Sequence, residues 1–162
     1  MNDLEINFSE IINMIETRRQ NAYKKVNEEL ISLYWDFGKY ISEKVNDSNW
    51  GDKIVDKLVE FMKREYPTMR GFTRRGIYRM KQFYETYKDN EFVSTLLTQI
   101  SWSNHLAIMS KAKTAEERHF YITLCIKESY SARELDRQTN SGYYERYMLS
   151  KEKLLPEPIK IG

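Results

Sequence analysis

Apolar side chains recur at steps of three, four or seven residues from Phe8 to Val45, through Ile11, Ile15, Ala22, Val26, Leu33, Phe37 and Ile41, with no proline among them. That spacing matches the 100° step of an α-helix, which gathers positions i, i+3, i+4 and i+7 on one face. An unbroken helix over this stretch is about 57 Å long at ~1.5 Å per residue. A compact globule of this chain length is only about 39 Å across. The segment is therefore expected to kink, to split near Arg18 to Asn21, or to protrude and meet a partner, with a homodimer through residues 8–45 as one outcome.

The turn NDSNWG, residues 46–51, closes this segment, and Ile54, Val55, Leu58, Phe61 and Met62 carry a second helix up to Tyr66 and Pro67. Proline disfavours helical geometry in the residue before it, so the helix ends there. Thr73 then caps a third helix, on which Ile77, Met80, Phe83, Tyr84 and Tyr87 fall within an arc of about 120° and form a core face. A shorter apolar helix holding Phe92, Val93, Leu96, Leu97 and Ile100 follows, then a helix through His105, Leu106, Ile108 and Met109 that Ser101 or Ser103 can cap. Thr114 with Glu117, and Ser131 with Glu134, have the spacing of capping boxes and start two more helices. Six glycines and three prolines in 162 residues leave little for a turn-rich β protein. The expectation is an all-α, multi-helix domain over residues 1–150, with a long amino-terminal helical segment and two helix-turn-helix-like units. Pro156 and Pro158 mark residues 151–162 as a linker or frayed tail.

Net charge is only +2, but it is unevenly spread. From Lys63 to Lys81 seven basic residues face the single acid Glu65, so this segment carries +6 and the remainder carries −4. The side of the third helix opposite its core face presents Arg74, Arg75, Tyr78, Arg79, Lys81 and Gln82, and Arg70 lies in the turn before it. Guanidinium, amide and phenol groups are those that contact phosphates and base edges, and in helix-turn-helix modules they come from the start of the second helix. These seven residues are the candidate nucleic-acid-binding set. A secondary candidate, YSARELDRQTN, offers Arg133 and Arg137 but intersperses Glu134 and Asp136 and has no net charge.

Little points to catalysis. No Asp or Glu is followed two residues later by Lys, as the metal-binding motif of a PD-(D/E)XK nuclease requires. Two histidines and one cysteine make a poor zinc ligand set, there is no glycine-rich phosphate loop, and no cofactor is expected. The amino terminus MNDLEINF lacks the basic start and apolar run of a signal peptide, and no segment approaches the roughly 20 apolar residues of a membrane helix. With the lone Cys125 suiting a reducing compartment, the expected location is the cytoplasm, with no membrane partner.

The segments ELISLYWDFGKYI, WGDKIVDKL, GFTRRGIYRMKQFYETY, SWSNH, EERHFY, SARELDRQ and YYER, in this order, resemble the amino-terminal domain of the YhcG-like family of bacterial PD-(D/E)XK nucleases. The resemblance runs from about Ile12 to Met148. It implies a non-catalytic, helical DNA-binding domain that targets an associated or fused nuclease domain or subunit to duplex DNA. One departure is that the family pattern places His directly after Trp-Ser, whereas Asn104 stands between Ser103 and His105 here. The other is that the nuclease half is absent from these 162 residues. The alternative expectation is a protein-interaction or dimerisation module of a bacterial defence complex, suggested by the long first helix and the many aromatic residues.

Overall fold

The computed structural model describes residues 2–154, and all regular structure among them is helical, as the periodicity predicts. The elements are α1 (Asp3–Asp47), α2 (Asp52–Glu65), α3 (Arg74–Tyr87), the single turn α4 (Glu91–Ser94), a 3₁₀ turn at Leu97–Gln99, α5 (Trp102–Lys111), α6 (Ala115–Glu128), α7 (Ala132–Asn140) and α8 (Tyr143–Leu154). Of the tail expected at 151–162, residues 151–154 form the end of α8, and the rest lies outside the described residues. The described chain divides into two compact units, one ending at Ser101 and the other beginning at Trp102.

In the first unit α1 neither kinks into two helices nor splits near Arg18. It is one helix of 45 residues. No proline and no glycine precedes Gly38, so nothing in the sequence breaks the backbone ladder. Its start is held by a reciprocal cap, in which the Glu5 amide donates to Asn2 Oδ1 at 2.8 Å and the Asn2 amide donates to Glu5 Oε2 at 3.3 Å. Residues 2–26 are exposed throughout, so this half of the helix protrudes. Cover begins at Asn27, whose side-chain amide donates to the carbonyls of Thr98 and Ile100 at 3.0 and 2.9 Å.

The other half of α1 lies along α3. Ile31, Tyr34 and Ile41 are buried from one side, and Ile77, Met80, Phe83 and Tyr87 from the other. Trp35 meets Phe83 and Tyr84 edge-on at ring distances of 5.7 and 5.0 Å. Gly38 permits this approach: a Cβ there would stand 2.1 Å from the Met80 carbonyl oxygen. Val55 and Val59 of α2 complete the core against Ile41 and Ile77. A polar tie crosses the same interface, where Glu85 accepts from Ser42 Oγ at 2.8 Å and pairs with Lys81 Nζ at 2.9 Å.

The second unit packs α5 against α6 and α7, and α8 against the latter two. Ile108, Tyr121, Ile122, Cys125 and Leu135 are buried in it, and burial pushes the Cys125 thiol up to about 12. Thr114 and Ser131 cap α6 and α7 as their spacing predicts. Ser129, with φ 53°, ends α6 in the left-handed region.

Two predictions follow from the α1–α3 interface. Gly38→Ala should lower stability by about 1–3 kcal/mol or more, because the obstacle is backbone that cannot rotate aside; urea midpoints measure it. Burial pushes the Glu85 carboxyl up, but the Lys81 ammonium and the Ser42 hydroxyl outweigh that and hold it below the ordinary carboxylate range. A carboxyl lowered by folding contributes stability above its unfolded pKa of about 4.3 and loses it as pH falls through the lower folded value. The stability gap between the unmodified chain and Glu85→Gln should therefore be widest near neutrality and shrink below about pH 4.

Candidate nucleic-acid interface

The approach to α3 is built on two glycines. Gly71 has φ +92°, which L side chains rarely adopt, and its carbonyl lies so near Gly76 that a Cβ there would be only 1.9 Å away. Phe72 between them is buried, with its ring edge-on to Phe37 at 4.9 Å and to Tyr34 at 6.5 Å. Thr73 Oγ1 then accepts from the Gly76 amide at 3.0 Å and starts the helix. The loop carrying Arg70 is thus seated on the first unit's core. Residues 66–73 make a longer link than the roughly three or four residues usual in helix-turn-helix units. Residues 129–131, between α6 and α7, are the shorter one.

The seven candidates sort by their surroundings. Arg70, Arg75 and Gln82 are exposed, and Arg79 is partly buried. Arg75, Arg79 and Gln82 stand at i, i+4 and i+7 of α3 and so share one side of it. Arg74, by contrast, is engaged by α2: its Nη2 lies 3.0 Å from Asp52 Oδ2 and its Nε lies 3.6 Å from Asp56 Oδ1. The Tyr78 hydroxyl donates to the other oxygen of Asp52. That hydrogen bond, followed by the charge of Arg74, holds the Asp52 carboxyl below its ordinary value. The same bond raises the Tyr78 phenol, and the two aspartates raise Arg74. Lys81 is mostly covered and pairs with Glu85 one turn further along α3.

Asp52 and Asp56 were missed from the sequence because they lie outside the basic run. A signal was nevertheless present: they stand four apart on the side of α2 next to Val55 and Val59, which pack against Ile77 of α3. The basic excess counted between residues 63 and 81 is thus partly neutralised by acids from the preceding helix.

At the secondary candidate Arg133 is exposed, while Arg137 Nη2 pairs with Glu134 at 3.0 Å. Lys111 pairs with Asp136 and also donates to Asn140 at 3.0 Å. The face of α7 is therefore internally compensated. Among the described residues, no helix is long and apolar enough to cross a membrane.

Comparison with known proteins adds relationships to this geometry. YhcG of Escherichia coli (strain K12), itself named only as a candidate nuclease, is 22% identical over 176 aligned residues, which cover 88% of this chain and 46% of that relative. The chain thus spans under half the length of the curated relative it matches. No solved structure matches it. The family described as the DUF1016 N-terminal domain matches residues 10–146, from α1 into α8, and the chain therefore belongs to the DUF1016 N-terminal domain family.

Proposed function

We propose that this chain is a non-catalytic DNA-binding domain that brings an associated or fused PD-(D/E)XK nuclease to duplex DNA in the cytoplasm. The observation that carries this reading is the exposure of Arg75 and Gln82 on one side of α3 and of Arg70 on the preceding loop, which the buried Phe72 anchors. Flexible lysines on a mobile loop would lose entropy on binding, whereas these groups stand on an anchored framework. Two guanidinium groups can take phosphate oxygens in bidentate fashion, and a glutamine amide at helical spacing can read an adenine edge. The kinship with YhcG supplies the nuclease half of the proposal.

Within this reading the Asp52–Arg74–Tyr78 group acts as a brake. Asp52 holds both Arg74 and Tyr78 away from phosphate, and with Asp56, which also pairs with Arg74, it repels the backbone from that end of α3. A second reading, a protein-interaction module of a defence complex, is favoured by the exposed apolar half of α1. Salt dependence separates the two, because phosphate contacts release counterions and an apolar interface does not.

Titration of labelled duplex DNA at several salt concentrations tests the site. Replacing Arg70 and Arg75 by Gln should flatten the slope of log affinity against log salt by up to about 1.8, near 0.9 for each lost phosphate contact. Absence of binding by the unmodified chain, or an unchanged slope in the double variant, would sink this site. Asp52→Asn should act in the opposite direction, raising affinity and steepening the slope by about 0.9 as Arg74 becomes available. A weaker complex from Asp52→Asn would mean that the aspartate orients Arg74 for binding instead of restraining it.

A further inference from the structure

The protruding half of α1 carries an apolar stripe that none of the described residues covers. At 100° per residue, Leu4, Phe8, Ile11, Ile15, Ala22 and Val26 fall within an arc of about 60°, and all six are exposed. This stripe is not the α3-facing side running past its partner. On a straight helix it is turned about 130° from the side formed by Ile31, Tyr34, Gly38 and Ile41. Water is a poor neighbour for so long a stripe, and helices in folded proteins owe most of their stability to packing of such a face.

We propose that a second copy of this chain covers the stripe, with the two α1 helices antiparallel and related by a two-fold axis that passes at Ile15. In that arrangement residue i of one helix lies opposite residue 30 − i of the other. The apolar positions obey this mirror rule: Leu4 meets Val26, Phe8 meets the small Ala22, Ile11 meets the aliphatic stem of Arg19, and Ile15 meets itself. Bulk faces lack of bulk at the Phe8–Ala22 pair, as knobs-into-holes packing requires.

Charge selects the same partner and the same direction. From Asp3 to Glu16 the helix holds four acidic residues and no basic one, and from Arg18 to Lys25 it holds four basic residues and no acidic one. An antiparallel pair lays each acidic block along the partner's basic block, whereas a parallel pair sets like on like. Packed helices are about 8–10 Å apart, comparable to the roughly 8 Å screening length at physiological salt, so the preference survives in solution. The internal pair of Arg19 and Glu16, 3.7 Å apart and more than half exposed, is weak and leaves both groups available. The overlap also ends where it should. It covers about 24 residues, or ~36 Å, and stops at Asn27, where the 3₁₀ segment begins to cover the helix.

This proposal concerns α1 alone and is measured without DNA, so it stands or falls independently of the nucleic-acid reading. Light scattering on the 162-residue chain at micromolar concentration should give the mass of two chains, and Ile15→Glu, which sets two carboxylates across the axis, should give one. Because Ile15 is exposed, circular dichroism and the unfolding midpoint of that variant should stay close to those of a dilute, dissociated sample. A chain bearing Glu5→Lys, Glu10→Lys and Glu16→Lys should self-associate at least tenfold more weakly. So should one bearing Arg18→Glu, Arg19→Glu and Lys24→Glu, and mixing the two should restore a dimer. Direction is read by crosslinking. Under mild oxidation Leu4→Cys and Val26→Cys chains should form a disulfide when mixed and neither should do so alone, Cys125 being buried. A monomer at high micromolar concentration, a dimer that survives Ile15→Glu, or self-crosslinking of Leu4→Cys would each overturn the proposal.

Discussion

The first unit depends on one close approach, the seating of the Met80 carbonyl against Gly38. Two helices can meet backbone to backbone only where one lacks a side chain, and this contact brings α1 and α3 near enough for the flanking rings to interlock. Trp35 then reaches Phe83 and Tyr84, Ile31 and Ile41 close over the ends, and Ser42 comes within hydrogen-bonding distance of Glu85. The loop before α3 follows from the same placement, since Phe72 is buried against Tyr34 and Phe37 of the positioned α1. Moving the helices apart by the width of a methyl group would loosen all of these contacts together.

Much of this was legible in the sequence because it was periodic or local. Apolar spacing marked α1, α2 and α3, while Thr73, Thr114 and Ser131 marked helix starts that a hydroxyl three residues before an unpaired amide explains. The core face of α3 was read from the wheel: Ile77, Met80, Phe83 and Tyr87 are buried, and Tyr84 is half-buried at its edge. The continuity of α1 was harder. A size argument favoured a break or a protrusion without choosing between them, and helix continuity is decided by the absence of Pro and Gly before residue 38, not by the diameter of a globule. Gly38 was also overlooked as a packing residue, because a missing side chain leaves no mark on a hydrophobic wheel.

The candidate interface divides along the same line between local and distant. That Arg75 and Gln82 face outward is a property of one helix and follows from angle alone. That Arg74 meets Asp52 and Asp56, and that Ser42 reaches Glu85, are properties of helices brought together by folding, whereas the Lys81–Glu85 pair is a four-residue spacing within α3. A charge count along the chain treats residues 63–81 as a unit, whereas the electrostatic unit is the surface shared by α2 and α3. A functional surface assembled from several elements is therefore smaller than the basic run that points to it.

The continuity of α1 also makes it a lever. Its inner half is clamped along α3, with the Asn27 amide holding the point where it emerges. Beyond that fulcrum lie about 24 residues at ~1.5 Å each, so a tilt of about 10° at the clamp sweeps the far end through about 6 Å. Small adjustments of packing around Gly38 are thereby amplified at Leu4, and a load applied at Leu4 returns to the α1–α3 seam with the corresponding mechanical advantage.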